Sequence, residues 1–204
     1  MADIRNLKAL QLDALREVAN IGAGHAATAL SQMTGHTIMI SVPHVTIAPL
    51  EDVPNQIAER EEPVAAVLMK MLGDLTGLTL LVLPQRTALR VAELMLKRSD
   101  TSGLDELAQS ALKEAGNILS AAYLNALSEF LGMLLLPSPP TLAIDLSDAV
   151  LGATYVEMSH GVEYVVCVES EFHLTELGEK LRGFFLLLPD APSLTALLRA
   201  IKVA

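Results

Sequence analysis

DALREVANIGAGHAATALSQMTGHTIMISVPHVTI at residues 13–47 and SALKEAGNILSAAYLNALSEFLGMLLLPSPPTLAI at residues 110–144 are two writings of one pattern, and that decides the fold. They align without a gap at an offset of 97 residues and are identical at 12 of 35 positions. The identities are Ala14/Ala111, Leu15/Leu112, Glu17/Glu114, Asn20/Asn117, Ile21/Ile118, Ala29/Ala126, Leu30/Leu127, Ser31/Ser128, Gly35/Gly132, Ser41/Ser138, Pro43/Pro140 and Ile47/Ile144. The ends of the halves match as well, LLVLP at 80–84 with FLLLP at 185–189, now at an offset of 105. The change of eight residues predicts an insertion in the second half, within 145–180 and around the turn-like Ser159-His160-Gly161.

Outward from the repeat, each half reads as a long helix, an extended stretch, one or two further strands and a short closing helix. Hydrophobic periodicity places these at about 8–34, 36–48, 63–83 and 85–98, and again at about 104–131, 133–144, 162–188 and 190–202. Residues 145–158 fit either a helix or a strand, and the polar, Pro-containing 51–63 reads as a loop. Sequential short strands joined by turns favour antiparallel pairing. No low-complexity linker separates the halves. The expectation is an α/β (α+β) protein in which residues 1–204 form one internally duplicated, pseudo-two-fold domain. Half 1 spans about 8–98 and half 2 about 104–202, with the long helices on the same side of a largely antiparallel sheet.

Hydrophobic residues make up 51% of the 204, so a sizeable core is available, but aromatics are only 3% and Trp is absent. The core must be aliphatic. Its longest apolar runs, such as LTLLVL at 78–83 and FFLLL at 184–188, fall far short of the ~20 residues of a spanning helix. The N-terminus has no apolar leader core, and the single Cys167 has no internal partner for a disulfide. These features predict a cytoplasmic protein without membrane insertion. A formal net charge of −10 and the lack of a basic cluster argue against nucleic acid as a partner.

At about 100° per residue, Leu15, Val18, Gly22, Ala26, Ala29 and Met33 fall on one side of the first long helix, and Asp13, Glu17, Asn20, Gly24 and Ser31 on the other. In the second, Leu112, Ala115, Leu119, Tyr123, Ala126 and Phe130 face inward, and Ser110, Glu114, Asn117, Ala121 and Ser128 outward. Asn costs roughly 0.5 kcal/mol relative to Ala in a helix interior, yet it stands there in both copies. One turn on comes a small residue, Gly24 or Ala121, which leaves the carboxamide clear for a close approach by another backbone. Pro43 follows Asn20 by 23 residues and Pro140 follows Asn117 by 23. A proline fixes φ and withdraws a donor, so each would shape the edge or loop beside its helix.

The doubled pattern Asp/Ser-x-x-x-Glu-x-x-Asn, followed after 22 residues by Pro, resembles the signature of the CheC/CheX/FliY family of chemotaxis phosphatases. NIGAGHAATALS at 20–31 is similar to that family's first motif. Two centres in a compact chain resemble the CheC-type form; CheX-type members keep one centre, and FliY-type members add a flagellar-switch domain for which 204 residues leave no room. The resemblance implies a phosphatase that hydrolyses the aspartyl phosphate of a phosphorylated CheY-like receiver. It implies that Asn20 and Asn117 orient the attacking water and that Glu17 and Glu114 dock the receiver's active-site Lys. Asp13, Ser110, Pro43 and Pro140 would be supporting positions. The chain would need no cofactor of its own, the Mg²⁺ being carried by the receiver. A CheD-like receptor deamidase is implied as a second partner, docking near the second half's insertion, with IDLSDAVLG at 144–152 the candidate surface and Asp145 the residue to test.

The alternative from another class is a non-catalytic adaptor that binds a phosphorylated receiver or the deamidase. Other chemistry finds less support. Gly22-Ala-Gly24-His-Ala-Ala27 spells a dinucleotide fingerprint, but that fingerprint needs a strand before it, and here a helical pattern runs straight through. The histidines at 25, 36, 44, 160 and 173 show no ligand spacing, His36 and His44 reading as sheet-surface residues. Cys167 lies in a buried-strand pattern, as an inert core thiol.

Overall fold

The computed structural model describes residues 9–49, 52–53, 62–98, 103–157 and 164–201. The first half builds α1 (Ala9–Thr34), β1 (Ile38–Pro49), β2 (Pro63–Gly73), β3 (Gly77–Pro84) and α2 (Gln85–Leu96). The second builds α3 (Glu106–Leu131), β4 (Leu135–Pro137), β5 (Thr141–Leu146), α4 (Ser147–Glu157), β6 (Tyr164–Leu174), β7 (Glu179–Pro189) and α5 (Ala191–Ala200). The two long helices end alike for one reason. Gly35 (φ 77°) and Gly132 (φ 64°) supply the left-handed residue that stops an α-helix, which is why the repeat keeps glycine there. At the start of α3 the Asp105 carboxylate accepts from Ala108 N at 2.7 Å, and Asp190 caps α5 by accepting from Ser193 N at 2.9 Å.

The strands form one seven-stranded sheet in the order β1-β6-β7-β3-β2-β4, with β5 also on β2, and every ladder is antiparallel. The halves are interleaved. β1 of the first half pairs with β6 of the second, from Ile38↔Leu174 to Pro49↔Tyr164, and β5 of the second pairs with β2 of the first, from Pro63↔Leu146 to Leu68↔Thr141. The approximate two-fold axis passes between β3 and β7, the central pair.

Side-chain alternation divides the core in two. On one face, strand residues such as Val67, Leu81, Val168 and Phe185 pack under α1 and α3, with Leu15, Val18, Ala26, Leu112, Leu119 and Tyr123 facing them. Both long helices thus lie on the same side of the sheet, as the repeat predicts. On the other face, Ala66, Leu80, Cys167, Phe184 and Leu186 pack with Val150 and Leu151 of α4. Among the described residues, no helix is long and apolar enough to cross a membrane.

The two edge strands show what proline does to a ladder. β1 carries a register irregularity between Ser41 and His44, where Pro43 stands; its side chain lies outside the described residues. At the equivalent point of the second half, Pro139-Pro140 remove two donors in succession and the strand breaks into β4 and β5. Ser138 bridges the break: its N–H donates to Lys70 O at 2.9 Å and its Oγ accepts from Lys70 N at 2.8 Å.

The structure decides one open span, while two others lie mostly outside the described residues. The ambiguous 145–158 is strand to Leu146 and helix from Ser147, with Asp148 placed in the first turn, where a negative charge favours the helix end. The stretch 144–152 therefore spans the end of β5 and the start of α4. The expected loop at 51–63 is described only at 52–53 and 62–63, and the turn at 159–161 lies outside the described residues.

Gly116 marks the tightest seating of a helix on the sheet. A Cβ there would stand 2.4 Å from Val67 Cγ1 and 2.6 Å from Val67 Cβ. Gly116→Ala is expected to lower the unfolding free energy by about 1–3 kcal/mol despite alanine's better helix propensity. Adding Val67→Ala should cost less than the two changes do separately, which denaturant titration of the single and double variants measures.

Candidate functional site

The close approach of α1 to α3 sets how both helices are turned. A Cβ on Gly22 would meet Tyr123 Cδ1 at 2.8 Å and Tyr123 Cα at 3.0 Å, so the small residue lets the α3 backbone come close. Tyr123 is held in turn by its stacking on Phe185, ring centroids 4.4 Å apart, and by a buried hydrogen bond between its hydroxyl and Ser170 Oγ at 2.9 Å. Burial outweighs that hydrogen bond and pushes the phenol up to about 12.

From this contact the positions of the predicted residues follow. At 3.6 residues per turn, Asn20 lies about 160° and Glu17 about 140° around α1 from Gly22. On α3, Glu114 lies about 180° and Asn117 about 120° from Tyr123. Both Glu/Asn pairs thus turn away from the helix–helix contact. Asp13, Glu17, Asn20, Ser110 and Glu114 are exposed, and Asn117 is half-buried. The sheet adds direction. β1 and β5 stand at opposite edges, five antiparallel ladders apart, so they run oppositely, and so do the helices that fold back onto them. The two centres consequently sit on opposite flanks of the helix pair, not in a common cleft.

The flank around Asn20 is open. A Cβ on Gly24, one turn beyond, would have no atom within 4 Å. Among the described residues, the side chains of Glu17, Asn20, Glu114 and Asn117 take no hydrogen-bond or ion-pair partner. Other carboxylates are committed: Glu179 holds Arg90 Nε at 2.9 Å, and Glu176 accepts from Thr37 Oγ1 at 2.9 Å. A carboxylate and a carboxamide one turn apart, unpartnered and facing solvent, can take up a cation and a water on the same incoming molecule.

The structure alters the expected stripes at their ends. Ser31 Oγ donates to Ala27 O at 2.7 Å and accepts from Ile38 N at 2.9 Å, tying α1 to β1, and Ser128 Oγ bonds Met133 O, so both serines serve the helix–strand turn. Met33 and Phe130, expected inside, are 42% and 36% exposed, because the last turn of each helix overhangs the core. Pro140 is half-buried beside β5. Asp145 is exposed on edge strand β5, opposite Val64, and its carboxylate accepts from Leu146 N at 2.8 Å. A residue given no role by its sequence is Ile21, 43% exposed beside Asn20. Its signal was present: an apolar identity, Ile21/Ile118, on the solvent side of an amphipathic pattern.

Other constellations do not form sites. α1 runs unbroken through Gly22-Ala23-Gly24, without the strand and turn a dinucleotide loop requires. His36 stands in the bend before β1, not on a strand, with Nδ1 3.1 Å from Glu176 Oε2. Ser41 Oγ and Glu171 Oε2 both lie 3.2 Å from His173 Nε2; two partners on one nitrogen is not a relay. Cys167 is buried, and burial, with the nearby Glu169 charge, pushes its thiol up to about 12, which disables it as a nucleophile. Among the described residues, no three His, Cys, Asp or Glu side chains gather as metal ligands would.

Comparison with known proteins matches the chain to a family model described as the CheC-like family, over residues 10–47 and again over 107–144. The chain is 31% identical over 205 residues to the CheY-P phosphatase CheC of Bacillus subtilis, covering 98% of each protein. It is 30% identical over 142 residues to the flagellar motor switch phosphatase FliY of the same organism, covering 68% of this chain and 36% of that one. Its fold is similar to the crystal structure of Thermotoga maritima FliY, with a TM-score of 0.80, 28% identity, and coverage of 97% of this chain and 98% of that one.

The open space at Gly24 can be tested apart from any assumption about chemistry. Gly24→Leu should raise the unfolding free energy by about 0.5–1 kcal/mol, since a good helix former replaces glycine without a clash. It should also obstruct whatever docks on Asn20. Denaturant titration reads the first effect; a binding or rate measurement on a variant whose second centre is disabled reads the second.

Proposed function

The chain belongs to the CheC-like family, and on that premise we propose that it is a phosphatase of a phosphorylated CheY-type receiver, with two centres, Glu17/Asn20 and Glu114/Asn117. The observation that carries this reading is the repetition of one unpartnered Glu/Asn pair on the outer flank of each long helix. The names of the relatives, CheY-P phosphatase CheC and flagellar motor switch phosphatase FliY, supply the substrate class.

The chemistry asks little of the protein. An aspartyl phosphate is an acyl phosphate with a good leaving group, and the receiver is expected to bring its own Mg²⁺. A water attacks phosphorus in line with the bond to the aspartyl oxygen. The new P–O bond forms as that bond breaks, the water's protons pass to phosphate and solvent, and the receiver recovers a free aspartate. Positioning and electrostatics carry most of such a reaction. The carboxamide of Asn20 or Asn117, donor and acceptor at once, orients the water without acting as a base. The carboxylate of Glu17 or Glu114 pairs with the receiver's active-site lysine and docks the helix. Asp13 and Ser110 border the same flanks, and Pro43 and Pro140 shape the edge strands beside them. A CheD-type deamidase at Asp145 belongs to the same family expectation, for which the exposed edge of β5 leaves room.

The test separates chemistry from docking. Replacing both Asn20 and Asn117 by Ala removes the amides but no charge, and Ala is the better helix former. Binding to a beryllofluoride-loaded receiver should change little while the catalysed loss of phosphate falls to the receiver's own rate. Replacing Glu17 and Glu114 by Ala should weaken binding as well as rate, and that defect should shrink at high salt, where exposed charges are screened. Each single-centre variant should keep part of the activity. If the double Asn variant dephosphorylates the receiver at the wild-type rate, the mechanism is wrong, and a non-catalytic adaptor becomes the better account.

A further inference from the structure

Four residues before each asparagine stands a basic side chain, Arg16 before Asn20 and Lys113 before Asn117. The two positions are equivalent in the repeat, 97 residues apart, and the charge is kept although the residue is not. On an α-helix, side chains at i and i+4 share a face. Each centre is therefore a run of anion and cation beside a neutral amide: Arg16, Glu17 and Asn20 on α1; Lys113, Glu114 and Asn117 on α3. Arg16 is exposed and Lys113 half-exposed.

The placement answers an electrostatic difficulty. The chain has 24 acidic against 14 basic residues and a net charge of −10, so it repels an anionic partner at long range. A phosphorylated carboxyl group carries about two negative charges at neutral pH. The Mg²⁺ and lysine expected on the receiver offset part of that charge, but a docking face bearing only Glu17 and Asp13, or only Glu114, offers nothing of opposite sign to the anionic oxygens that face it. A cation next to each glutamate and one turn from each amide removes the conflict where it is largest.

We propose that Arg16 and Lys113 are positioning residues that engage anionic oxygens at the receiver's phosphorylated site, completing a two-sign docking face whose negative member is Glu17 or Glu114. The proposal rests on the phosphatase reading above. The oxygens are those of the phosphoryl group or of neighbouring carboxylates, and the two sources are separable by experiment.

The test is a Michaelis analysis of receiver dephosphorylation across a range of salt, on the full chain. Arg16→Gln with Lys113→Gln should raise KM about five-fold, the scale of an exposed ion pair, and leave kcat nearly unchanged. It should also flatten the dependence of KM on salt. Arg16→Lys with Lys113→Arg, which keeps both charges, should retain the wild-type KM; failure of this variant alongside the Gln variant would show that the charge is not what matters. An unaltered KM and salt slope in the Gln variant, or a fall in kcat alone, would overturn the proposal. Wild-type chain that leaves the phosphoryl group intact would instead sink the phosphatase reading, so the two failures are distinguishable. Titration against receiver with and without beryllofluoride assigns the source: a binding loss confined to the loaded receiver identifies phosphoryl oxygens, and an equal loss in both identifies carboxylates.

Discussion

The approach of α1 to α3 at Gly22 and Tyr123 governs how the helical layer meets solvent. A helix can roll about its own axis on a flat sheet, and here close contacts at two glycines limit that roll. Gly22 admits the Tyr123 backbone on one side, and Gly116 seats α3 on Val67 on another. With both helices held, the solvent-facing arc of each is set by the packing, and the carboxylate and amide that share it need no hydrogen bonds of their own to stay in place. Rigidity comes from the packing beneath, which leaves the polar groups above free to meet another molecule.

Much of this was legible in the sequence because the chain is written twice. A lone Glu-x-x-Asn on a helix is an ordinary solvated face, but its recurrence in register turned Glu17, Asn20, Glu114 and Asn117 into candidates, and the structure puts all four on the outer flanks. The elements followed from periodicity, and the doubled Gly35/Gly132 stop from the need for a left-handed residue. What periodicity missed lies where the helical wheel is a poor guide. Ser31 and Ser128 share the angular sector of Asn20 and Asn117, yet stand over the helix–strand turn and are consumed there. Met33 and Phe130 have core-like angles but lie beyond the end of the core. The span around Asp145 was ambiguous because a strand and a helix meet there without a turn residue between them. Strand exchange between the halves was invisible, since an ungapped repeat specifies each half's elements and not which half they pair with.

The polar chemistry of the molecule is divided by task. Carboxylates that hold the fold are committed: Asp190 to Thr76 and Ser193, Glu179 to Arg90, Glu176 to Thr37. Burial works to raise the pKa of Asp190, but its hydrogen bonds from Thr76 and Ser193 outweigh that and hold it below the usual range. Its contribution to stability is present above the unfolded carboxylate's pKa and fades as pH falls through the lower folded value. The two groups that burial drives towards neutrality, Tyr123 and Cys167, lie in the core and away from the flanks. Among the described residues, the Glu/Asn pairs on the outer faces of the long helices take no part in that bonding.

The interleaved sheet has a consequence for how the chain is made. β1 is synthesised early, but the strand it pairs with, β6, begins only at Tyr164. At ~5–20 residues per second on the ribosome, β1 waits on the order of ten seconds for its partner. During that time the nascent first half holds β2 and β3 as a hairpin with neither β7 nor β5 to cover its edges. Two nascent chains on one messenger could then satisfy each other, first half to second half, in the same pairing that a finished chain makes with itself. The irregularity in β1 at Pro43, where a strand loses a donor and its straightness, does not bar that exchange but disfavours pairing on the strand's free edge, and costs little in the completed sheet, where β1 needs a partner on one side alone.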